Sequence, residues 1–159
     1  MKNKILSLNN LSKKITDLKK KNKKIILCHG VFDLLHLGHI KHFEEAKKYG
    51  DIIVVTITPN KYVSKGPNRP VFNTNQRMEA IASLETVDYV SENKWRDAVE
   101  TIKLLKPNVY CKGPDYKKNQ DDITKRIYEE NKAVKKIKGI IKYTNDITFS
   151  SSNILNSNI

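Results

Sequence analysis

Short apolar runs, each too brief for a helix, alternate along this chain with longer segments of helical period. Residues 23–30 (KKIILCHG), 51–58 (DIIVVTIT), 87–90 (VDYV), 108–113 (NVYCKG) and 139–144 (GIIKYT) read as buried strands. Between them lie helical segments. Residues 9–21 carry Leu11, Ile15 and Leu18 in register with Leu8, with lysines on the other side. Residues 37–50 turn Ile40, Phe43 and Ala46 inward and stop at Gly50. Residues 74–85 start at Thr74 as the expected N-cap, 95–106 open on Trp95 and stop before Pro107, and 121–134 follow. A short helix over 150–156 closes the chain. This alternation predicts an α/β fold: a mostly parallel, five-stranded sheet with helices on both faces. The expected organisation is an N-terminal amphipathic helix over 1–22 and one domain over 23–159. Ligands in such folds bind outside the carboxyl ends of the strands.

Composition narrows the class. With 159 residues the chain is one domain's worth, and no apolar run approaches a membrane span. The N-terminus lacks a secretory pattern, so a cytoplasmic protein is expected. Cys28 and Cys111 sit in apolar runs without a CxxC partner and read as buried free thiols. The net charge of +13 invites nucleic acid as a partner, but the cations are mostly lysine, with arginine only at 69, 77, 96 and 126. Surfaces that read phosphate and bases favour arginine. A solvated lysine surface is the expected reading and nucleic acid is not the expected partner.

The chemistry concentrates in residues 29–39, HGVFDLLHLGH, which hold three of the chain's four histidines. The order is strand, turn, helix. Gly30 brings the backbone out of the sheet close to any ligand. Gly38 keeps side chains away from the helix start. His36 and His39 converge before a helix N-terminus, where unpaired N–H groups and the dipole favour an anion. Zinc held by both histidines and Asp33 is the competing reading; the glycine and the strand–turn–helix context favour phosphate, and no protein-held metal is expected. His29, His42 and Trp95 read as structural.

These residues carry a resemblance. GVFDLLHLGH resembles the signature of the HxGH nucleotidyltransferase (cytidylyltransferase-like) superfamily. KGPNRPVFNTNQRMEAIASLETVDYV, PNVYCKGPDYK and FSSSNIL resemble, in order and spacing, segments of its heptose-phosphate adenylyltransferase type. The resemblance spans roughly residues 23–157. His29 departs from the asparagine usual in that type, and Lys125 and Lys138 stand where relatives often have glycine. The resemblance implies a Rossmann-like sheet. It also implies transfer of a nucleoside monophosphate from a nucleoside triphosphate, ATP ahead of CTP, to a phosphorylated small molecule such as a heptose 1-phosphate, releasing pyrophosphate. A CTP-dependent enzyme acting on glycerol 3-phosphate or another polyol phosphate is the alternative. A non-catalytic nucleotide- or nucleic-acid-binding module is the reading from another class.

The implied site follows the same segments. His36, His39 and Lys65 are the catalytic set, with Lys65 closing over the triphosphate from a loop. Gly30, Val31, Phe32, Asp33 and Gly38 surround the nucleotide's phosphates. Lys112, Gly113, Asp115 and Tyr116 form the base and ribose pocket. Ser150, Ser151 and Ser152 offer hydroxyls at a second helix start. Arg69 and Arg77 take the acceptor's phosphate, although a surface ion pair is the alternative for Arg77. Mg2+ arrives with the nucleotide. Relatives pair, and Leu11, Ile15 and Leu18 offer an apolar face, so a homodimer is expected. A separate sugar kinase is expected upstream.

Overall fold

The computed structural model describes residues 3–114 and 126–145. Helix α1 (Leu8–Lys20) precedes β1 (Ile25–Gly30), α2 (Leu37–Ala46), β2 (Ile52–Ile57), α3 (Thr74–Ala82), β3 (Tyr89–Glu92), α4 (Val99–Leu105), β4 (Val109–Lys112), α5 (Arg126–Lys136) and β5 (Ile140–Tyr143). The strands form one sheet in the order β3-β2-β1-β4-β5, parallel throughout. The expected five-stranded α/β sheet is therefore present.

The two faces have separate cores. Ile26, Cys28, Ile53 and Val55 meet Phe43 and Ala46 of α2 and Met78, Ile81 and Ala82 of α3. Ile25, Leu27, Val54 and Tyr110 meet Leu8, Leu11 and Ile15 of α1, Ile102 and Leu105 of α4, and Ala133 and Val134 of α5. Alternate residues of each strand face opposite layers, and apolar residues on both faces make the runs continuous. The apolar face of α1, expected as a pairing surface, is consumed inside the molecule: Leu11 is 0% exposed. The helix is one layer of the domain. Cys28 and Cys111 face each other on β1 and β4, both buried and free. Their mutual hydrogen bond and burial push the Cys28 thiol well up.

Strand β3 lies two residues later than expected and α3 ends earlier, at Ala82, and two helix starts differ for reasons the hydrogen bonds show. Asn73, rather than Thr74, caps α3: its side chain accepts from the Gln76 N–H while Gln76 accepts from the Asn73 N–H. Thr74 is instead bonded to Asn60. Trp95 does not open α4. The Asn93 amide donates to the carbonyls of Trp95 and Asp97, both at 2.7 Å, and holds that stretch as a loop until Val99.

The order of strands places the site. The chain leaves β1 towards β2 and β3, then returns to the other side of β1 with β4. Its switch point lies between the carboxyl ends of β1 and β4, at Gly30 and Lys112.

Candidate active site

Residues 31–36 leave β1 in a strained turn. Phe32 and Leu34 have φ of 50° and 53°, in the left-handed region that non-glycine residues rarely adopt. Gly30 is needed below it, because a Cβ there would lie 3.1 Å from the Phe32 ring. The ring in turn meets His39 edge-on at 5.5 Å and Phe43 at 5.1 Å. Gly38 is buried in the first turn of α2.

Two charged groups hold this turn. The Arg77 guanidinium, 1% exposed, spends its donors on the protein. Nε donates to the Phe72 carbonyl at 2.9 Å, and one terminal nitrogen donates to the carbonyls of Val31 and Thr58, each at 2.8 Å. The other donates to Asn60 Oδ1 at 2.7 Å and Thr74 Oγ1 at 3.3 Å. Those five bonds use all five N–H groups that a guanidinium carries. Arg77 is thus a clamp joining the turn, the end of β2 and the loop before α3. It is neither a receptor for the acceptor's phosphate nor a surface ion pair, which corrects both readings.

Asp33 is the second fastening. Its carboxylate, 1% exposed, accepts from Val71 N–H at 2.7 Å, Phe72 N–H at 3.0 Å and Arg69 Nε at 3.1 Å. Burial pushes this carboxyl up, but the two N–H groups and Arg69 outweigh burial and hold it below its ordinary value. The Asp33 side chain bolts the loop onto the turn rather than reaching towards a nucleotide. The side chain of Arg69 is 6% exposed, and its Nε belongs to that bolt.

His36 and His39 do come together. Their rings stack with centroids 3.8 Å apart. His36 is the N-cap of α2: its Nδ1 accepts from Gly38 N–H at 3.1 Å. Its own N–H donates to Nδ1 of His39 at 3.4 Å. Both Nδ1 atoms are acceptors, so each proton sits on Nε2, and Nε2–H is the donor each ring can offer an anion. Burial lowers the pKa of both, assisted for His36 by Lys65, and for His39 by His36, His42 and Lys65. His39 falls to about 3. The rings are therefore neutral donors before an anion arrives. Helix capping uses Nδ1 of His36 and so keeps Nε2 of the same ring out of the cap.

The other histidines serve the fold. His42 Nδ1 pairs with Thr144 Oγ1 at 2.8 Å. His29 Nδ1 pairs with Thr56 Oγ1 at 2.9 Å, its Nε2 lies 3.4 Å from Thr58 Oγ1, and burial depresses its pKa to about 4.

Beside the turn, at the switch point, lies a cavity of about 230 Å3. Gly30, Val31 and His29 form one wall, Lys65 and Tyr62 a second, and Arg96, Asp97 and Glu130 a third. Lys65 is exposed on its loop, and its charge reaches His36 and His39. Gly113 stands in open space, where a Cβ would meet nothing within 4 Å. The Lys112 side chain, expected at the base and ribose, turns inward, 2.9 Å from Asn131 Oδ1 and 3.8 Å from Glu130. Its carbonyl accepts from Thr144 N–H. The Lys112 side chain therefore ties β4 to α5. Asp115, Tyr116, Ser150, Ser151 and Ser152 lie outside the described residues.

Sequence reasoning missed Asn60, Arg96, Asp97 and Glu130. Asn60 and Asp97 follow the carboxyl ends of β2 and β3, which is a usable positional signal. Glu130 carries none, since it is one acidic residue on an amphipathic helix. It is buried, and its oxygens accept from Ala98 N–H at 2.9 Å and Tyr110 O–H at 3.1 Å. Burial raises its pKa.

A parallel sheet whose switch point carries a strained turn, a helix N-terminus and two neutral imidazole donors has the parts of a phosphate-binding site. The chain belongs to the cytidylyltransferase-like family, whose model matches residues 27–157. It is 42% identical over 119 residues to the bifunctional protein HldE of Aliarcobacter butzleri (strain RM4018), a match covering 74% of this chain and 25% of that protein. The chain spans about a quarter of the length of the curated relatives it matches. Among solved structures it resembles a lipopolysaccharide core biosynthesis protein from Thermoplasma volcanium GSS1, with TM-score 0.65 and 28% identity over 79% of this chain and 99% of that one. A pantoate-beta-alanine ligase from Francisella tularensis shares the fold at TM-score 0.60 and 18% identity, over 97% of this chain and 76% of that one. Fold, motif and family model agree in placing this chain among cytidylyltransferase-like proteins.

Proposed function

We propose that the chain transfers AMP from ATP to a sugar phosphate of the heptose 1-phosphate kind, releasing pyrophosphate. The observation that carries the reading is the His36–His39 pair, whose Nδ1 atoms are both tied off so that both Nε2–H groups serve an anion. The similarity to HldE supports the choice of acceptor and base. CTP with glycerol 3-phosphate is the runner-up.

The chemistry asks little beyond positioning. An oxygen of the acceptor's phosphate attacks the α-phosphorus of the triphosphate, the bond to the bridging oxygen breaks, and pyrophosphate leaves with the electron pair. The acceptor phosphate is already an anion, so no general base is required. Barriers fall when two anions are held together and the charge growing on the leaving group is met by fixed donors. His36 and His39 supply those donors, and Lys65 supplies a full charge beside them. Mg2+ bound with the nucleotide would neutralise part of the phosphate charge. Asp33, with three donors already on it, does not suit a protein-held ion. In the same reading Gly113, Asp115 and Tyr116 meet the base and ribose, and Ser150, Ser151 and Ser152 meet the triphosphate from across the cleft. A homodimer working in the cytoplasm, with a separate kinase supplying the acceptor, completes it. The face that suggested pairing is used internally, so the dimer needs another surface.

A pyrophosphate-release screen of the four nucleoside triphosphates against sugar and polyol phosphates tests the reading. His39→Ala should lower turnover by roughly 10²–10³-fold, the cost of one lost charge-stabilising donor. His36→Ala should do the same and also lose about 1 kcal/mol of helix capping. His36→Asn should restore the cap but not turnover. Turnover within about threefold of wild type in both alanine variants would remove the assignment. DNA or RNA binding that survives loss of both histidines would favour the non-catalytic reading.

A further inference from the structure

We propose that Arg96, together with Lys65, binds the phosphate of the acceptor, and that Asp97 accepts a hydrogen bond from a hydroxyl of the same molecule. The inference rests on the transferase reading and says which side chains choose the acceptor.

The reaction needs cations for a second anion beside the triphosphate. Of the chain's four arginines, Arg77 spends all its donors inside the fold and Arg69 is buried against Asp33, while Arg96 and Arg126 line the switch-point cavity. Arg96 differs. It is exposed, lines the switch-point cavity, and makes no ion pair with another described residue. Its guanidinium carbon lies 5.7 Å from the centre of the Tyr62 ring, which faces it from the other rim. Lys65 lies on that same rim, and its field reaches His36 and His39. The cavity is also lined by Gly30 and Val31 of the turn that leads to His36, so a phosphate held between Lys65 and Arg96 would stand beside that turn.

The same cavity also holds two carboxylates, Asp97 and Glu130, alongside Arg126. Asp97 is fixed: its carbonyl accepts from the Asn93 amide and Oδ1 accepts from Val99 N–H at 3.0 Å. Glu130, beside it, spends its oxygens on Ala98 and Tyr110. Both ring nitrogens of His29 face threonine hydroxyls. That leaves the Asp97 carboxylate as the acceptor offered to a ligand. A cavity that holds Lys65, Arg96 and Arg126 together with the Asp97 carboxylate suits a molecule that carries a phosphate and also donates hydroxyls. This describes a phosphorylated sugar or polyol.

Steady-state kinetics on the full chain test this, with ATP held saturating and the best acceptor from the screen varied. Arg96→Gln should raise the acceptor's KM at least tenfold, leave kcat within about threefold and leave the melting temperature and ATP affinity unchanged. Arg96→Lys should recover part of the loss. Inorganic phosphate, competing with the acceptor, should weaken as an inhibitor in Arg96→Gln but not in Asp97→Asn, whose acceptor KM alone should rise. An unchanged acceptor KM in Arg96→Gln, with normal wild-type turnover, overturns the proposal and leaves the transferase reading standing. A wild-type protein that binds ATP but turns over no acceptor in the panel overturns both.

Discussion

The two walls of the cleft use the same residue type in opposite ways. On the wall made by residues 58–77 the arginines are turned inward: Arg77 meets five acceptors and Arg69 meets Asp33, so the wall is rigid, and Lys65 is left exposed on its loop. On the wall made by residues 93–98, rigidity comes from neutral groups. The Asn93 amide holds two carbonyls and Thr101 Oγ1 donates back to it, while Arg96 stays exposed. A guanidinium can stiffen a turn or greet a ligand, but its five donors seldom do both. The strained turn at Phe32 and Leu34 requires the first wall; the reaction's second anion requires the second.

The sharpest way to break this contrast is Arg77→Ala. Removing the clamp leaves the carbonyls of Val31, Thr58 and Phe72 without their donor inside the protein, and unsatisfied buried groups cost about 1–3 kcal/mol each. A loss of at least about 3 kcal/mol in chemical denaturation is expected. Arg77→Lys should not restore it, because three donors on one nitrogen cannot span five acceptors. If Arg77→Lys melts like wild type and loses only acceptor affinity, the roles of the walls are reversed.

Asp33→Asn should come next, at about 1.5–3 kcal/mol for lost bonds to a charged acceptor. The readout is local as well as global: cleavage by protease within residues 60–72 should speed up, while the 93–98 wall keeps its protection. Equal protection on both walls would show that the carboxylate is not the bolt.

The smallest expected effect is with pH. His29 and His39 keep pKa values of about 4 and 3 in the folded chain, against 6.5 for the ordinary imidazole. As pH falls through 6.5 the unfolded chain takes up protons that the folded chain refuses. Stability is therefore complete above 6.5 and declines as pH falls towards 4. About 1 kcal/mol should go between pH 7 and 6 for the two rings together. Melting curves at those values check it, and His29→Gln should flatten part of the slope. A slope unchanged in that variant would mean His29 titrates normally.

Much of this molecule was open to reading along the chain. Strand–helix alternation led to the parallel sheet, because burial on both faces forces continuous apolar runs that no amphipathic strand shows. The order of residues in HGVFDLLHLGH led to the paired imidazoles, since a strand, a tight turn and a helix start are all local. The capping by His36 was hidden in the same letters: its Nδ1 accepts from the Gly38 N–H and closes the start of α2.

Partnership across distance was not open to reading. Arg77 and Arg96 look alike in sequence, each a cation near the start of a helical segment. Their difference lies in what folding carries to them. The 31–36 turn and the end of β2 bring carbonyls from Val31 and Thr58 to within 2.8 Å of Arg77. Nothing comparable reaches Arg96 among the described residues except the Tyr62 ring. Lys112 and Asp33 were reassigned for the same reason, their partners lying on α5 and on the loop before α3. Local sequence sets which backbone conformations are cheap. Which charge is spent and which is offered depends on buried acceptors contributed by distant segments, and only the packed sheet and its two layers bring those into reach.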